Sequence, residues 1–242
     1  MLFPAFRAEL LKLRRSLVLL LCAAAPTMVI ALGAVILARS PQPLPWPVFY
    51  TNIAALWSFF MLPMTATALT VLVAQFEHGP KFWNHLLALP MARWRIYGAK
   101  AAIVALLIAA TSFSLLLLAP AAGAAAERIA PGLQLTGTFD AAASAWLLLR
   151  MFAGSLLLIA IQLWLALHFR SFVPPLVVGI GGTFAAVVAS GAQLGGYFPW
   201  IMPTNALSQD PERAALAIGI GFWGGLVMLA IMLAALSRRE AL

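Results

Sequence analysis

The stretch LVLLLCAAAPTMVIALGAVILA, residues 17–38, contains no charged side chain and is long enough to cross a lipid bilayer. The hydrocarbon core of a bilayer is about 30 Å thick, so a helix needs roughly 20 mostly apolar residues to span it. Five further apolar runs follow. The sequence therefore predicts an all-α membrane protein with six transmembrane helices, at about residues 17–38, 53–75, 99–119, 142–167, 172–192 and 214–236.

The composition leaves little room for anything besides this membrane domain. Of the 242 residues, 64% are hydrophobic and 9% are charged, whereas soluble domains carry about 25% charged residues. We therefore expect residues 1–242 to form a single transmembrane domain. The one cysteine, Cys22, lies inside the first apolar run and cannot form an intramolecular disulfide.

The positions of Lys and Arg predict which side of the membrane each segment faces. With the N-terminus in the cytoplasm, 11 of the 15 basic residues fall in inside segments and three fall in outside segments. Cytoplasmic loops of membrane proteins are enriched in Lys and Arg. Both termini are therefore expected in the cytoplasm. The net charge of +8 follows from this topology, and we expect no nucleic-acid partner.

The first segment, MLFPAFRAELLKLRRS at residues 1–16, has the pattern of an amphipathic helix. Apolar residues recur at helical spacing, while the basic residues lie mostly on other sides. This pattern favours a helix in the membrane interface, with its Lys and Arg heads towards anionic lipid. The alternative is an ordinary basic flank that only sets the topology. The residues that we assign to the interfacial helix are Phe6, Leu10, Lys12, Arg14 and Arg15.

The loop between the second and third spans, residues 75–100, is QFEHGPKFWNHLLALPMARWRIYGAK. Gly79-Pro80 breaks the preceding helix, and Pro90 stops or kinks a new one. Between the two prolines, apolar residues recur at helical spacing. We predict a short amphipathic cytoplasmic helix of about two or three turns. Such a helix can lie on lipid or fit into a groove of a cytoplasmic protein.

The predicted outer loops differ in character. Residues 39–52 are rich in proline, which predicts a stiff, extended connection. Residues 193–213 contain prolines that exclude a long helix, so we expect a short or re-entrant element packed over the outer end of the bundle. Three aromatic residues of this loop suit the membrane–water boundary: Tyr197, Phe198 and Trp200.

Two glycine pairs have the four-residue spacing that allows helices to approach closely: Gly191/Gly195 and Gly221/Gly225. Small residues at this spacing are common at helix contacts in membranes. We expect them to serve packing within the chain, and regard a dimer seam as the weaker alternative.

We find no catalytic or nucleotide-binding motif. The three histidines fall at the cytoplasmic edge of the predicted bundle, and none stands at metalloprotease spacing from a carboxylate. Gly98-Ala99-Lys100 lacks the upstream glycine and the following Ser or Thr of a phosphate loop. We therefore expect a protein that is not an enzyme and that binds no metal.

Arg150 is the one ionisable residue that we predict well inside a span. Charges inside a membrane mark transport pathways, so Arg150 is a candidate residue of a transport path. The alternatives are that it snorkels, contacts backbone carbonyls or pairs with an outer-loop acid such as Asp140. The lack of an acidic partner at matching depth counts against an ion-coupled carrier. Four polar residues could still line a path: Thr65, Thr67, Thr70 and Gln162.

The segment EHGPKFWNHLLALPMARWRIYGAK, Glu77 to Lys100, resembles the signature segment of ABC exporter permeases of the second type. The resemblance is closest to their lantibiotic-immunity and bacitracin-resistance branch. In that class an acidic residue leaves the second span, a short Trp-containing helix follows, a Leu-rich turn runs into proline, and basic residues lead to a Lys entering the third span. Two further segments, 9–16 and 197–203, are similar to the start and to a late outer segment of such permeases.

The resemblance implies a six-helix permease that assembles with a second permease, identical or related, and with two separate cytoplasmic ABC ATPase subunits. ATP and Mg would be bound by the ATPase, and this chain would bind no cofactor. Its cargo would be hydrophobic or amphipathic, such as an antimicrobial peptide. Residues 77–97 would form the coupling-helix loop, with contacts from Glu77, Lys81, Phe82, Trp83, Leu86, Leu87 and Arg93.

Two other classes of function compete with this interpretation. An ATP-independent channel or secondary carrier would act without a nucleotide-binding partner. An intramembrane enzyme would need clustered acids, histidines or a metal.

Overall fold

The computed structural model describes residues 3–13, 16–40, 42–78, 92–129, 135–192 and 194–238. Most of these residues are helical. The helices are α1 (Phe3–Leu13), α2 (Leu17–Ala38), α3 (Trp46–Leu56), α4 (Leu62–His78), α5 (Arg93–Ile129), α6 (Ala141–His168), α7 (Val173–Ala189), α8 (Met202–Asn205) and α9 (Pro211–Ser237). Two short strands, β1 (Leu44–Pro45) and β2 (Leu135–Thr136), pair in parallel, with Leu44 opposite Leu135.

Within the part of the chain that the structure describes, five helical segments are long and apolar enough to cross a membrane: Leu17–Ala38, Trp46–Phe76, Arg93–Ile129, Ala141–His168 and Pro211–Ser237. The shorter α7, of 17 residues, is also apolar. The prediction of an all-α, multi-pass membrane protein is confirmed. The second and third helical segments begin earlier than predicted, at Trp46 and Arg93. Hydropathy identifies the part of a helix that is apolar enough to lie in lipid, but not the turns by which the same helix extends past the lipid.

A π-helical turn, Trp57–Met61, lets the second membrane segment continue past Pro63. Proline lacks an N–H, and its ring clashes with the carbonyl group four residues earlier in a regular α-helix. In the wider turn, the Leu62 N–H bonds to the Trp57 carbonyl instead. Helix α3, the π-turn and α4 therefore run as one segment.

Helices α6 and α9 approach each other through glycine. A β-carbon at Gly225 would lie 2.7 Å from the Leu156 carbonyl carbon, and one at Gly221 would overlap the backbone of Gly154. The expectation of close packing within the chain is therefore confirmed for the Gly221/Gly225 pair. The other predicted pair forms no such helical seam, because Gly191 and Gly195 lie in the turns after α7.

The segment between α7 and α9 dips into the bundle. Helix α8 packs on α6, where a β-carbon at Gly154 would lie 3.1 Å from the Met202 carbonyl oxygen, and the Thr204 hydroxyl lies 3.1 Å from that of Ser58. This agrees with the expected short, re-entrant element. Of the three aromatic residues expected at the membrane–water boundary, Trp200 is only 6% exposed, because its ring packs against Gly182 of α7.

Candidate functional site

A buried ion pair joins the N-terminal helix α1 to α5, the helix that follows the loop between the second and third membrane segments. The Lys100 ammonium lies 3.0 Å from the Glu9 carboxylate, and their side chains are 0% and 6% exposed. Lys12, one turn further along α1, donates to the other Glu9 oxygen at 2.7 Å. The Glu9 carboxylate therefore accepts a charge-assisted hydrogen bond on each of its two oxygens.

The spacing of residues in α1 explains why Glu9 faces the protein. Positions three and four apart share one face of a helix, so Phe6, Glu9 and Leu13 form a stripe. Glu9 and Leu13 are buried, and Phe6 packs on the main apolar cluster of the bundle. Leu10, which we had placed on the same apolar face as Phe6, is 39% exposed. Helix α1 therefore packs on the bundle through a face that combines apolar side chains with one carboxylate.

The charges around Glu9 decide its protonation state. Burial raises the pKa of Glu9, but the positive charge of Lys100 and the hydrogen bond and charge of Lys12 together outweigh burial. The pKa of Glu9 therefore lies below its ordinary value of 4.5, and the carboxylate is ionised at neutral pH. Removing one partner from a buried ion pair typically costs about 3–5 kcal/mol, so this contact fixes α1 firmly to α5.

No local sequence pattern indicates this pair. The topology from Lys and Arg assigns Lys100 to the cytoplasmic loop, whereas α5 begins at Arg93 and places Lys100 about two turns inside the helix. A longer-range signal was present: Lys100 lies inside the predicted third span, and Glu9 is the single acid in residues 1–16. A charge inside an apolar segment needs a partner, and a nearby acid is the natural one.

The structure describes only some of the residues that we predict to contact the ATPase. Glu77 lies in the last turn of α4, and Arg93 is the first residue of α5. Helices α4 and α5 pack on each other, so the ends of the loop are held together. Seven of the predicted site residues lie outside the described residues: Lys81, Phe82, Trp83, Leu86 and Leu87 of the coupling loop, and Arg14 and Arg15 of the interfacial helix.

Arg150 lies in a groove of about 620 Å³ between α6 and α9. Its side chain is partly exposed. Asp140, the partner that we had considered, caps the start of α6 and accepts from the Ala143 N–H at 2.9 Å. Among the residues that the structure describes, Arg150 has no ion-pair partner. The groove borders the surface of the bundle, which suits an arginine whose head reaches towards the outer interface.

The polar residues that we had considered as path-lining are buried inside the bundle. Thr67 donates to the Pro63 carbonyl at 2.8 Å within its own helix. With its amide nitrogen towards α7, Gln162 donates to the Pro175 carbonyl at 3.2 Å and accepts from the Gly179 N–H at 3.1 Å. These bonds satisfy the polar groups where they lie, which favours a role in joining α6 to α7 over one in lining a path.

The long apolar helices define a polytopic integral membrane protein. Its N-terminal helix is held to α5 by a buried ion pair. The sequence profile of the ABC-2 family transporter proteins matches residues 5–186. The match covers most of the chain, from α1 into α7, and includes both partners of the buried ion pair. The chain therefore belongs to the ABC-2 family and is a permease component of an ABC transporter, which implies association with an ATPase subunit. A comparison with curated proteins gave no match.

Proposed function

We propose that this chain is the permease subunit of an ABC exporter that moves a hydrophobic or amphipathic substrate, such as an antimicrobial peptide. Two permeases, identical or related, would assemble in a bacterial plasma membrane with two ATPase subunits. The ATPases would bind ATP and Mg. The loop at residues 77–97 would contact them through the side chains from Glu77 to Arg93, and the chain would be a permease of the lantibiotic-immunity and bacitracin-resistance type.

The observation that carries this proposal is the match of residues 5–186 to the ABC-2 family, and the buried pair of Glu9 and Lys100 between α1 and α5 provides a route by which movement would pass into the bundle. Helix α5 has 37 residues, so at 1.5 Å per residue it is about 55 Å long. A displacement at its first turns would therefore be passed along the helix towards Pro120. Because α1 is fixed to the same turns, the interfacial helix would move with α5 as one rigid body.

The mechanism follows from this geometry as a switch between two packings of the bundle. ATP binding would bring the ATPase subunits together, and their movement would push on residues 77–97. The displacement would pass into α4 and α5, whose ends border the loop. Packed helices shift between discrete arrangements and do not deform continuously, so the two permeases would rock between an inward-open and an outward-open state.

The test of this proposal removes the apolar face of the loop. The triple variant Phe82→Ala, Trp83→Ala, Leu86→Ala is reconstituted with the ATPase subunit, and ATP hydrolysis is measured with and without the permease. We expect normal membrane insertion but loss of the permease-dependent change in ATPase rate. Helix-in-groove contacts depend on a few large apolar anchors, so this change should abolish coupling.

A matched control removes an aromatic residue elsewhere. Trp223 of α9 is 66% exposed on the bundle surface, and Trp223→Ala should leave coupling intact. Normal ATPase response and normal transport by the triple variant would contradict the coupling role of the loop. Transport by the permease alone, without ATPase or ATP, would instead favour an ATP-independent carrier.

A further inference from the structure

A small pocket lies between the N-terminal turns of α3 and α6, at the end of the bundle that we predict to face outward. Its cavity volume is about 160 Å³, and its walls include Trp46, Tyr50, Phe139, Asp140 and Ser144. The pocket forms because the parallel ladder of β1 and β2 draws together the two loops that precede these helices.

Three aromatic rings form adjoining walls. The Trp46 and Phe139 ring centroids are 5.3 Å apart with planes at 58°, and those of Tyr50 and Phe139 are 5.7 Å apart with planes at 57°. Aromatic faces carry negative partial charge and attract cations, most strongly at Trp. The rings of each pair pack on each other, and those of Trp46 and Phe139 stay partly exposed where they line the cavity, whereas Tyr50 is buried.

The position of Trp46 is fixed before any ligand arrives. A β-carbon at Gly123 of α5 would lie 3.0 Å from the Trp46 ring, so the indole packs directly on the backbone there. The Tyr50 side chain is 2% exposed, and neighbouring residues therefore hold it as well. A wall that needs no rearrangement loses little entropy when a ligand binds.

Asp140 supplies the one full charge among the side chains that line the pocket. Its Oδ1 atom accepts from the Ala143 N–H at 2.9 Å, which leaves its second oxygen available. The positive end of the α6 dipole opposes a cation here, but it amounts to roughly half an elementary charge. The carboxylate outweighs it, and the pocket as a whole favours a positive ligand.

We propose that this pocket binds an alkylammonium group, held by the rings of Trp46 and Phe139 and by the carboxylate of Asp140, with the buried Tyr50 ring behind them. The group could be the head of an amine-bearing lipid or the ammonium of a soluble amine or peptide. This binding does not depend on the ATPase or on the transport cycle. Its test is therefore separate from that of the proposed function.

The experiment uses the full chain in lipid nanodiscs and tetramethylammonium chloride as the probe. Saturation-transfer NMR titrations are made at constant ionic strength. We expect saturable binding that is at least tenfold tighter than that of 3,3-dimethyl-1-butanol, a neutral molecule of similar shape. Equal binding of the neutral molecule, or no saturable binding of the cation, would overturn the proposal.

Two variants locate the binding in this pocket. Asp140→Asn keeps an N-cap residue of similar strength but removes the charge, and should weaken binding about tenfold. Asp210 caps α9 outside this pocket and accepts from the Glu212 N–H at 3.0 Å, so Asp210→Asn makes the same change elsewhere and should bind as the wild type does. Wild-type affinity in Asp140→Asn, with the fold confirmed by thermal unfolding, would overturn the proposal.

A second measurement, made with lipids, identifies the molecule that supplies the ammonium group. Native mass spectrometry follows the protein in mixtures of phosphatidylethanolamine and phosphatidylglycerol. Enrichment of phosphatidylethanolamine that tetramethylammonium displaces, and that Asp140→Asn abolishes, would support the proposal with a lipid head as the occupant. Binding of tetramethylammonium without such enrichment would support it with a soluble ammonium ligand.

Discussion

The Lys100 ammonium and the Glu9 carboxylate stand 3.0 Å apart, although 91 residues separate them in the chain. This contact fixes the N-terminal helix to the helix that follows the loop between the second and third membrane segments. Both side chains are withdrawn from solvent, and a buried charge without a partner is costly. The pair therefore couples the position of α1 to that of α5, and its disruption should be measurable in several ways.

The first prediction concerns loss of the lysine. Lys100→Met removes the main charge partner of Glu9, whose carboxylate stays buried with Lys12 as its described partner. We expect the free energy of unfolding to fall by about 3 kcal/mol, measured by SDS titration of the purified protein in mixed micelles.

Two matched variants check the reason for that loss. In the double variant Glu9→Gln, Lys100→Met the unpaired charge is gone, so much of the stability should return. The Lys12 side chain is 22% exposed, so Lys12→Met should cost less than Lys100→Met. If the double variant is as unstable as the sum of its single variants, the two residues are not coupled.

The second prediction concerns pH. The pKa of Glu9 in the folded protein lies below its ordinary value of 4.5, so the folded state favours the ionised carboxylate. Its stabilising contribution is therefore fully present above about pH 4.5 and is lost as the pH falls through the lower, folded pKa. We expect the stability difference between the wild type and Glu9→Gln to be constant near neutral pH and to shrink in acid. A difference that grows on acidification would contradict the lowered pKa.

Hydropathy predicted the fold class because a helix must be long and apolar enough to cross the bilayer. The second membrane segment shows the limit of this signal. Hydropathy placed its start near residue 53, while the helix begins at Trp46. The prolines before it predicted an extended connection, yet Pro47 lies in the first turn of α3, where proline is well tolerated.

The buried pair shows what a single sequence hides. Glu9 and Lys100 are far apart in the chain, and their pairing depends on how α1 docks, which no local pattern encodes. The same holds for Trp200, since its burial depends on Gly182 of another helix leaving room for the ring. Local patterns predicted the membrane helices, whereas contacts between distant segments required the structure.

The third prediction tests the glycine contact between α6 and α9. A β-carbon at Gly221 would overlap the backbone of Gly154, and backbone cannot move aside as a flexible side chain can. We expect Gly221→Ala to lower the free energy of unfolding by about 1–3 kcal/mol, measured by SDS titration. Gly219, in the same helix, has no atom within 4 Å of such a β-carbon. Gly219→Ala should therefore be neutral or slightly stabilising, and equal losses in both variants would contradict the packing argument.

The fourth prediction concerns sidedness and uses single cysteines in a Cys22→Ala background. Intact cells are treated with a membrane-impermeant thiol reagent. If the loop after α4 is cytoplasmic, Asn84→Cys should stay unlabelled in intact cells and react once the membrane is opened. Labelling of this cysteine from outside would contradict the predicted topology and, with it, contact between the loop and a cytoplasmic ATPase.

The segment between α7 and α9 provides the complementary half of this experiment. Tyr197 is 56% exposed and lies on the side predicted to face outward, so Tyr197→Cys should react in intact cells. Met202, five residues later in the chain, is 0% exposed beneath the same segment. Met202→Cys should therefore stay unreactive until the protein is unfolded, because its thiol is enclosed by α6 and not because it faces the cytoplasm. Rapid labelling of both cysteines would show that the segment lies on the surface of the bundle and does not dip into it.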